Sequence, residues 1–108
     1  MRRLRFTRLA LADVKRAREI IETNHPDGPA AGMRLADEAL TRLWQGAERL
    51  CSFPNLGRAS VVPGVLELVI PGPTRHLTFT VGYRVEPEQV VVLAITWGGR
   101  RFVESGRT

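Results

Sequence analysis

The sequence predicts an α+β fold: a two-helix antiparallel hairpin packed on one face of a small antiparallel β-sheet, with elements in the order β-α-α-β-β-β. Three observations predict it. Between Ala10 and Leu50 apolar residues recur every three or four positions, the period of helices that bury one stripe. From Val65 onward they recur at every second position or run together, as strands require. Clusters of Pro, Gly, Asn and Asp divide these stretches into short segments, so neighbouring elements must fold back on each other.

At the start, Arg3-Leu4-Arg5-Phe6-Thr7 alternates polar with apolar, which puts Leu4 and Phe6 on one face of a short edge or pairing strand. Thr7 can then cap a helix whose stripe is Ala10, Val14, Ala17 and Ile21. That helix ends near Asn24, because Asn24-His25-Pro26-Asp27-Gly28-Pro29 gathers turn formers. Pro29 suits the first turn of a second helix. This helix reaches about Ser52 and buries Leu35, Ala36, Ala39, Leu40, Leu43, Ala47 and Leu50, with Arg34, Asp37, Glu38, Arg42, Gln45, Glu48 and Arg49 in solvent. Trp44 is expected to pack against the first helix or against a partner in a dimer.

Phe53-Pro54-Asn55-Leu56-Gly57-Arg58 stops the second helix. Three strands follow, over 65–70, 77–85 and about 89–97, and the short links Pro71-Gly72-Pro73 and Glu86-Pro87-Glu88 force antiparallel pairing between them. In the middle strand Leu77, Phe79, Val81, Tyr83 and Val85 form a core face, opposite Thr78, Thr80, Gly82 and Arg84. The run from Val90 to Ile95 is apolar on both faces, which places the last strand centrally.

The chain's 108 residues suit a single domain, 1–108, since half of them could not bury enough surface to fold alone. Its 16 Lys+Arg against 11 Asp+Glu give a net charge of +5, and only Lys15 among the basic residues is not arginine. The excess points to anionic partners, although arginine-for-lysine usage follows genome composition as readily as it follows carboxylate or phosphate recognition. Interspersed charges and 44% hydrophobic residues exclude a disordered chain. Cys51 alone cannot form an intrachain disulfide, as expected for the reducing cytoplasm. Arg8, Asp13 and Lys15 interrupt the apolar residues near the start, so neither a secretory segment nor a membrane partner is expected.

Four segments carry a resemblance. They are Phe6-Thr7 with Ala10-Leu11-Ala12-Asp13; Leu50-Cys51-Ser52-Phe53-Pro54-Asn55-Leu56-Gly57-Arg58; Gly64-Val65-Leu66-Glu67-Leu68-Val69-Ile70; and Val81-Gly82-Tyr83-Arg84-Val85 with Val92-Leu93-Ala94-Ile95 and Gly98-Gly99-Arg100-Arg101. In this order the chain resembles, over essentially its whole length, the ParE/RelE superfamily of toxins from bacterial type II toxin–antitoxin and plasmid-stabilisation modules. The second segment is similar to that family's L…P.LGR signature, the third to its G-x-R-E-L strand, and the last to its Y-R-V…I-L-x-V-x-H-G-x-R ending. Leu66 stands where many members have arginine, and Trp97 where many have histidine. The resemblance implies a toxin that inhibits DNA gyrase, is neutralised by a cognate antitoxin and forms a hetero-oligomer with it. The departures at Leu66 and Trp97 favour this ParE-like branch. The alternative it implies is a RelE-like ribosome-dependent mRNA endonuclease, with the ribosome and mRNA as partners and Arg58, Arg84 and Arg100 contacting phosphate. A second alternative is a non-toxic interaction module of the same fold.

Cleavage of RNA by its 2′-hydroxyl requires a base, an acid and cations for the phosphate. The available groups are His76, Glu67 and Tyr83 with the arginines. Tyr83 falls on the core face with its hydroxyl tied down, and His76 is a solvated loop residue. Glu67 alternates with Leu66 and Leu68, so it is expected to be exposed and paired with Arg84 or Arg58. Together these give no convincing acid–base pair. His25, His76 and Cys51 lack ligand spacing, and no helix follows Gly98-Gly99, so neither a metal nor a cofactor is expected. The residues expected to contact a target or antitoxin are Arg58, Arg84, Trp97, Arg100, Arg101 and Phe102, with Arg75 beside them. Trp97 could equally close the core at its strand end.

Overall fold

A computed structural model describes residues 1–98, and its elements follow the predicted order with one short strand, at Arg58–Ala59, added where a loop was expected. They are β1 (Arg3–Phe6), α1 (Arg8–Thr23), α2 (Pro29–Ser52), β2 (Arg58–Ala59), β3 (Leu66–Ile70), β4 (Phe79–Val85) and β5 (Gln89–Trp97). Arg100, Arg101 and Phe102 lie outside the described residues. Thr7 caps α1, its hydroxyl accepting the Ala10 N–H at 3.1 Å, and Asn24 closes the helix. α2 opens with Pro29 in its first turn, after Gly28 at φ 97°, a backbone setting that a side chain would strain.

The sheet is five-stranded in the order β1-β5-β4-β3-β2. The three long strands pair antiparallel as the short links require, and β2 extends them antiparallel on β3. β1 instead lies parallel to β5, so the sheet as a whole is mixed. Parallel neighbours need a long crossover, which the helical hairpin and the three intervening strands supply. Both β1 and β2 are edges, and β5 is central, with Val90, Val91 and Val92 fully buried.

One face of the sheet carries the helices. Ala10, Ala17 and Ile21 of α1 and Ala36, Ala39, Leu40 and Leu43 of α2 pack on Ile70, Phe79, Val81, Val92 and Ile95. Leu50, at the far end of α2, packs with Tyr83 and Val90. Trp44 lies against Phe6 of β1 with ring centroids 4.5 Å apart. Trp97 packs against the core, its alternative expectation. The opposite, helix-free face is less solvated than the alternation predicts, since Thr80 and Gly82 are buried and Arg84 alone of the three is exposed. A register shift between Gly82 and Tyr83 brings Tyr83 opposite Val92 while Gly82 stays opposite Ala94.

Asp13 stands inside the apolar stripe of α1, 1% exposed, and its Oδ2 accepts the Ile95 N–H at 2.8 Å. β1 leaves β5 at Phe6, so the later part of β5 has no strand on that side. α1 occupies the vacated edge, and Asp13 supplies an acceptor the ladder lacks there. Among the described residues no helix is long and apolar enough to cross a membrane.

Candidate functional site

Three of the four sequence signatures meet at one place. Tyr83 is fully buried, and its hydroxyl donates to the Pro54 carbonyl at 2.8 Å while accepting the Gly57 N–H at 2.9 Å. The phenol of β4 thereby pins both ends of the turn that leaves α2. Burial holds the Tyr83 pKa above its ordinary value, opposed by the Gly57 N–H, so the phenol stays protonated and able to donate. Gly57 is required by space: a Cβ there would lie 2.6 Å from the Tyr83 hydroxyl and 2.6 Å from the Glu67 carbonyl.

The residue after that glycine is Arg58, whose Cα pairs with Glu67 across β2 and β3. Here the structure corrects the expectation that Glu67 is exposed, because its side chain has 0% exposure. The cause is non-local. Across the sheet Glu67 faces Gly82 and then Ala94 on one side and Arg58 on the other, neighbours that its own strand does not reveal. Its Oε1 accepts the Arg58 Nε–H at 3.1 Å, while the Arg58 side chain remains 62% exposed. A carboxylate is thus taken out of water and given a guanidinium partner, as buried charge demands.

Arg84, on the same helix-free face, is exposed as expected but gives its Nε and Nη2 to Glu86 Oε2 at 3.0 and 2.9 Å. Gln89 Nε2 donates to the other Glu86 oxygen at 2.6 Å and Arg5 Nε reaches Gln89 Oε1 at 3.4 Å. These donors, the Gln89 amide first and Arg84 next, hold the Glu86 carboxyl below its usual range. The outer surface of the sheet therefore joins arginines from β1, β2 and β4, two of them with carboxylate partners.

Arg75 and His76 are exposed on the β3–β4 connection. A surface cleft of about 640 Å³ is lined by Met1, Arg2, Arg3, Cys51, Ser52, Pro87 and Glu88. Among the described residues no three His, Cys, Asp or Glu gather to hold a metal. Gly57 and Tyr83 were legible as motif members without their mutual contact. Asp13 had a local signal, a charge on a stripe otherwise apolar, whereas Glu67 had none, since its partners across the sheet come from β2 and β4.

The arrangement can present guanidinium groups to carboxylate or phosphate oxygens. For acid–base chemistry it offers less: the Tyr83 hydroxyl is committed to backbone, and Glu67 is buried and paired. The fold is similar to that of a chain in a solved structure described as the chromosomal ParDE TA system from P. aeruginosa, with a TM-score of 0.69 and 23% sequence identity over 90% of this chain and 96% of that one. No protein-family model and no curated protein sequence matches the chain.

Proposed function

We propose that this protein is a ParE-type toxin of a type II toxin–antitoxin module: it acts in the cytoplasm by binding the DNA gyrase–DNA system and is held inactive by a cognate antitoxin in a hetero-oligomer. The observation that carries the reading is the likeness, over 90% of the chain, to a chain of a ParDE toxin–antitoxin structure. The four signature segments add to it, and so does the meeting of three of them around Arg58. The state of the titratable groups favours binding over RNA cleavage. A Tyr83 hydroxyl shared between Pro54 and Gly57 is poorly placed to move a substrate proton, and Glu67 already serves Arg58.

Expression of the chain in bacteria without its antitoxin tests the reading. Growth arrest with filamentation, chromosome breaks and an induced DNA-damage response is the expected result, with loss of gyrase supercoiling by the purified protein. Intact supercoiling at saturating protein overturns it. Translation arrest with cleaved messages establishes the RelE-like endonuclease instead, and unimpaired growth establishes a non-toxic interaction module.

A further inference from the structure

Five ion pairs join described residues, and four arginines take part. Arg18 gives its two terminal nitrogens to Glu22 and Asp37, Arg42 gives one to Glu38, and Arg84 gives one to Glu86. Their carboxylate partners are at least partly exposed, so these are ordinary surface pairs. Arg58 differs on both counts. It contacts Glu67 through Nε, neither of its terminal nitrogens bonds a described residue, and its partner carboxylate has no exposure.

We infer that Glu67 is a positioning residue, which holds Arg58 by Nε so that the terminal nitrogens of the guanidinium meet a carboxylate of an acidic, partly apolar segment of a partner protein. As a device for stability alone, a buried carboxylate is a poor choice, since an apolar side chain of similar size does as well or better. As a device for presentation it is effective. It fixes the stem of a long, flexible side chain before the partner arrives, so less freedom is lost on binding. The backbone is fixed as well, because Arg58 pairs with β3 and follows a glycine locked against Tyr83.

The surroundings select the partner's chemistry. Leu56, Val61 and Val69 are exposed by 41%, 67% and 47%, and Val69 lies two residues beyond Glu67 on the same face of β3. Aliphatic surface beside a presented guanidinium fits a peptide that mixes Glu or Asp with apolar residues better than it fits a phosphate backbone. The inference rests on the proposed function only in taking the partner to be a protein.

Glu67→Gln separates positioning from bulk charge by sign. The substitution makes the net charge one unit more positive, so a diffuse basic patch binds an acidic ligand more tightly after it, whereas a positioned Arg58 binds less tightly. The probe is a synthetic ten-residue peptide alternating Glu with Val and Leu, titrated into the purified protein at fixed ionic strength. Binding is followed by the Arg58 Nε–Hε resonance and the Val69 methyls. The peptide is expected to move both signals, and Glu67→Gln to weaken it about tenfold, the scale of one charge-assisted contact. In an Arg58→Ala background Glu67→Gln is expected to change affinity less than about twofold, which a merely structural Glu67 does not produce. Arg58→Lys, at a largely exposed position, keeps the charge and covers the case in which Glu67→Gln fails to fold; it is expected to bind as poorly as Arg58→Ala. Unchanged or tighter binding by Glu67→Gln, or wild-type binding by Arg58→Lys, overturns the inference. So does a ten-residue oligothymidylate moving these signals when the peptide does not, or neither probe moving them. Because the readout uses purified protein and peptide, it is independent of whether gyrase is inhibited.

Discussion

Removing one oxygen atom, by Tyr83→Phe, tests the link between the sheet and the turn after α2. The ring is fully buried and phenylalanine preserves it, so the perturbation is confined to two hydrogen bonds, of 2.8 Å to Pro54 and 2.9 Å from Gly57. Each such bond contributes about 0.5–1.5 kcal/mol net. Pro54 and Gly57 are half-buried, so water partly replaces the lost oxygen and the full cost of two stranded groups does not apply. The expected loss is about 1–2 kcal/mol, which lowers Tm by roughly 5–15 °C in a domain of this size. Alkaline titration gives an independent check, because the chain has a single tyrosine and its ionisation can be followed near 295 nm without interference from others. The folded pKa is raised above the unfolded value of about 10. The unfolded chain therefore releases the proton first. Stability from this group is fully present below about pH 10 and is lost as pH rises through the folded value, a decline that Tyr83→Phe removes. A Tm change under about 1 °C, or a native titration midpoint at or below about 10, refutes the reasoning.

Gly57→Ala forces a methyl to within 2.6 Å of the Tyr83 hydroxyl and of the Glu67 carbonyl, so overpacking should cost about 1–3 kcal/mol, read as a lower denaturant midpoint at unchanged slope. A wild-type midpoint shows that the turn yields freely. Asp13→Ala leaves the Ile95 N–H without its acceptor and should cost about 2–3 kcal/mol with faster exchange of that amide, while Asp13→Asn, which keeps an acceptor, should cost less; equal effects exclude the hydrogen bond as the cause. The Cys51 thiol is held above its ordinary pKa, first by burial and then by Glu48, with the terminal ammonium opposing, so its reaction with a disulfide reagent at pH 8 should be much slower than in denaturant. Equal rates in the two conditions contradict that placement.

How much of this could be read from sequence follows from the range of the interactions. Helix boundaries were legible because their causes are local: Thr7 and Ala10 are three residues apart, and Pro29 acts on its own turn. Strand faces were legible for the same reason, and Phe79, Val81 and Tyr83 lie where alternation put them. The fate of Glu67 was not, since its own strand makes it look exposed, while its pairing with Arg58 on one side and Gly82 on the other depends on other strands. The same holds for the parallel pairing of β1 with β5, a contact across nearly the whole chain. Of the contact residues expected, Arg58 and Arg84 lie on one surface, Trp97 packs against the core, and Arg100, Arg101 and Phe102 are outside the described residues.

Net charge is a poor guide to which arginine matters here, because identical side chains are held in different ways. Arg18 and Arg42 are satisfied through their terminal nitrogens by acids on the helix surfaces, and Arg84 by the acid two residues along. Such pairs form and break at little cost, and an acidic ligand must compete with a carboxylate already in place. Among the described residues Arg58 escapes that competition, because Glu67 engages it through Nε and no other described acid bonds its terminal nitrogens. Each neighbouring motif residue then has a separate physical task. Tyr83 anchors the turn, Gly57 permits its close approach to β3, and the β2–β3 register sets Arg58 beside Glu67. Substitution of any one of them should act through the position of Arg58, and their effects on ligand binding should be strongly non-additive, as expected for residues that serve one geometry.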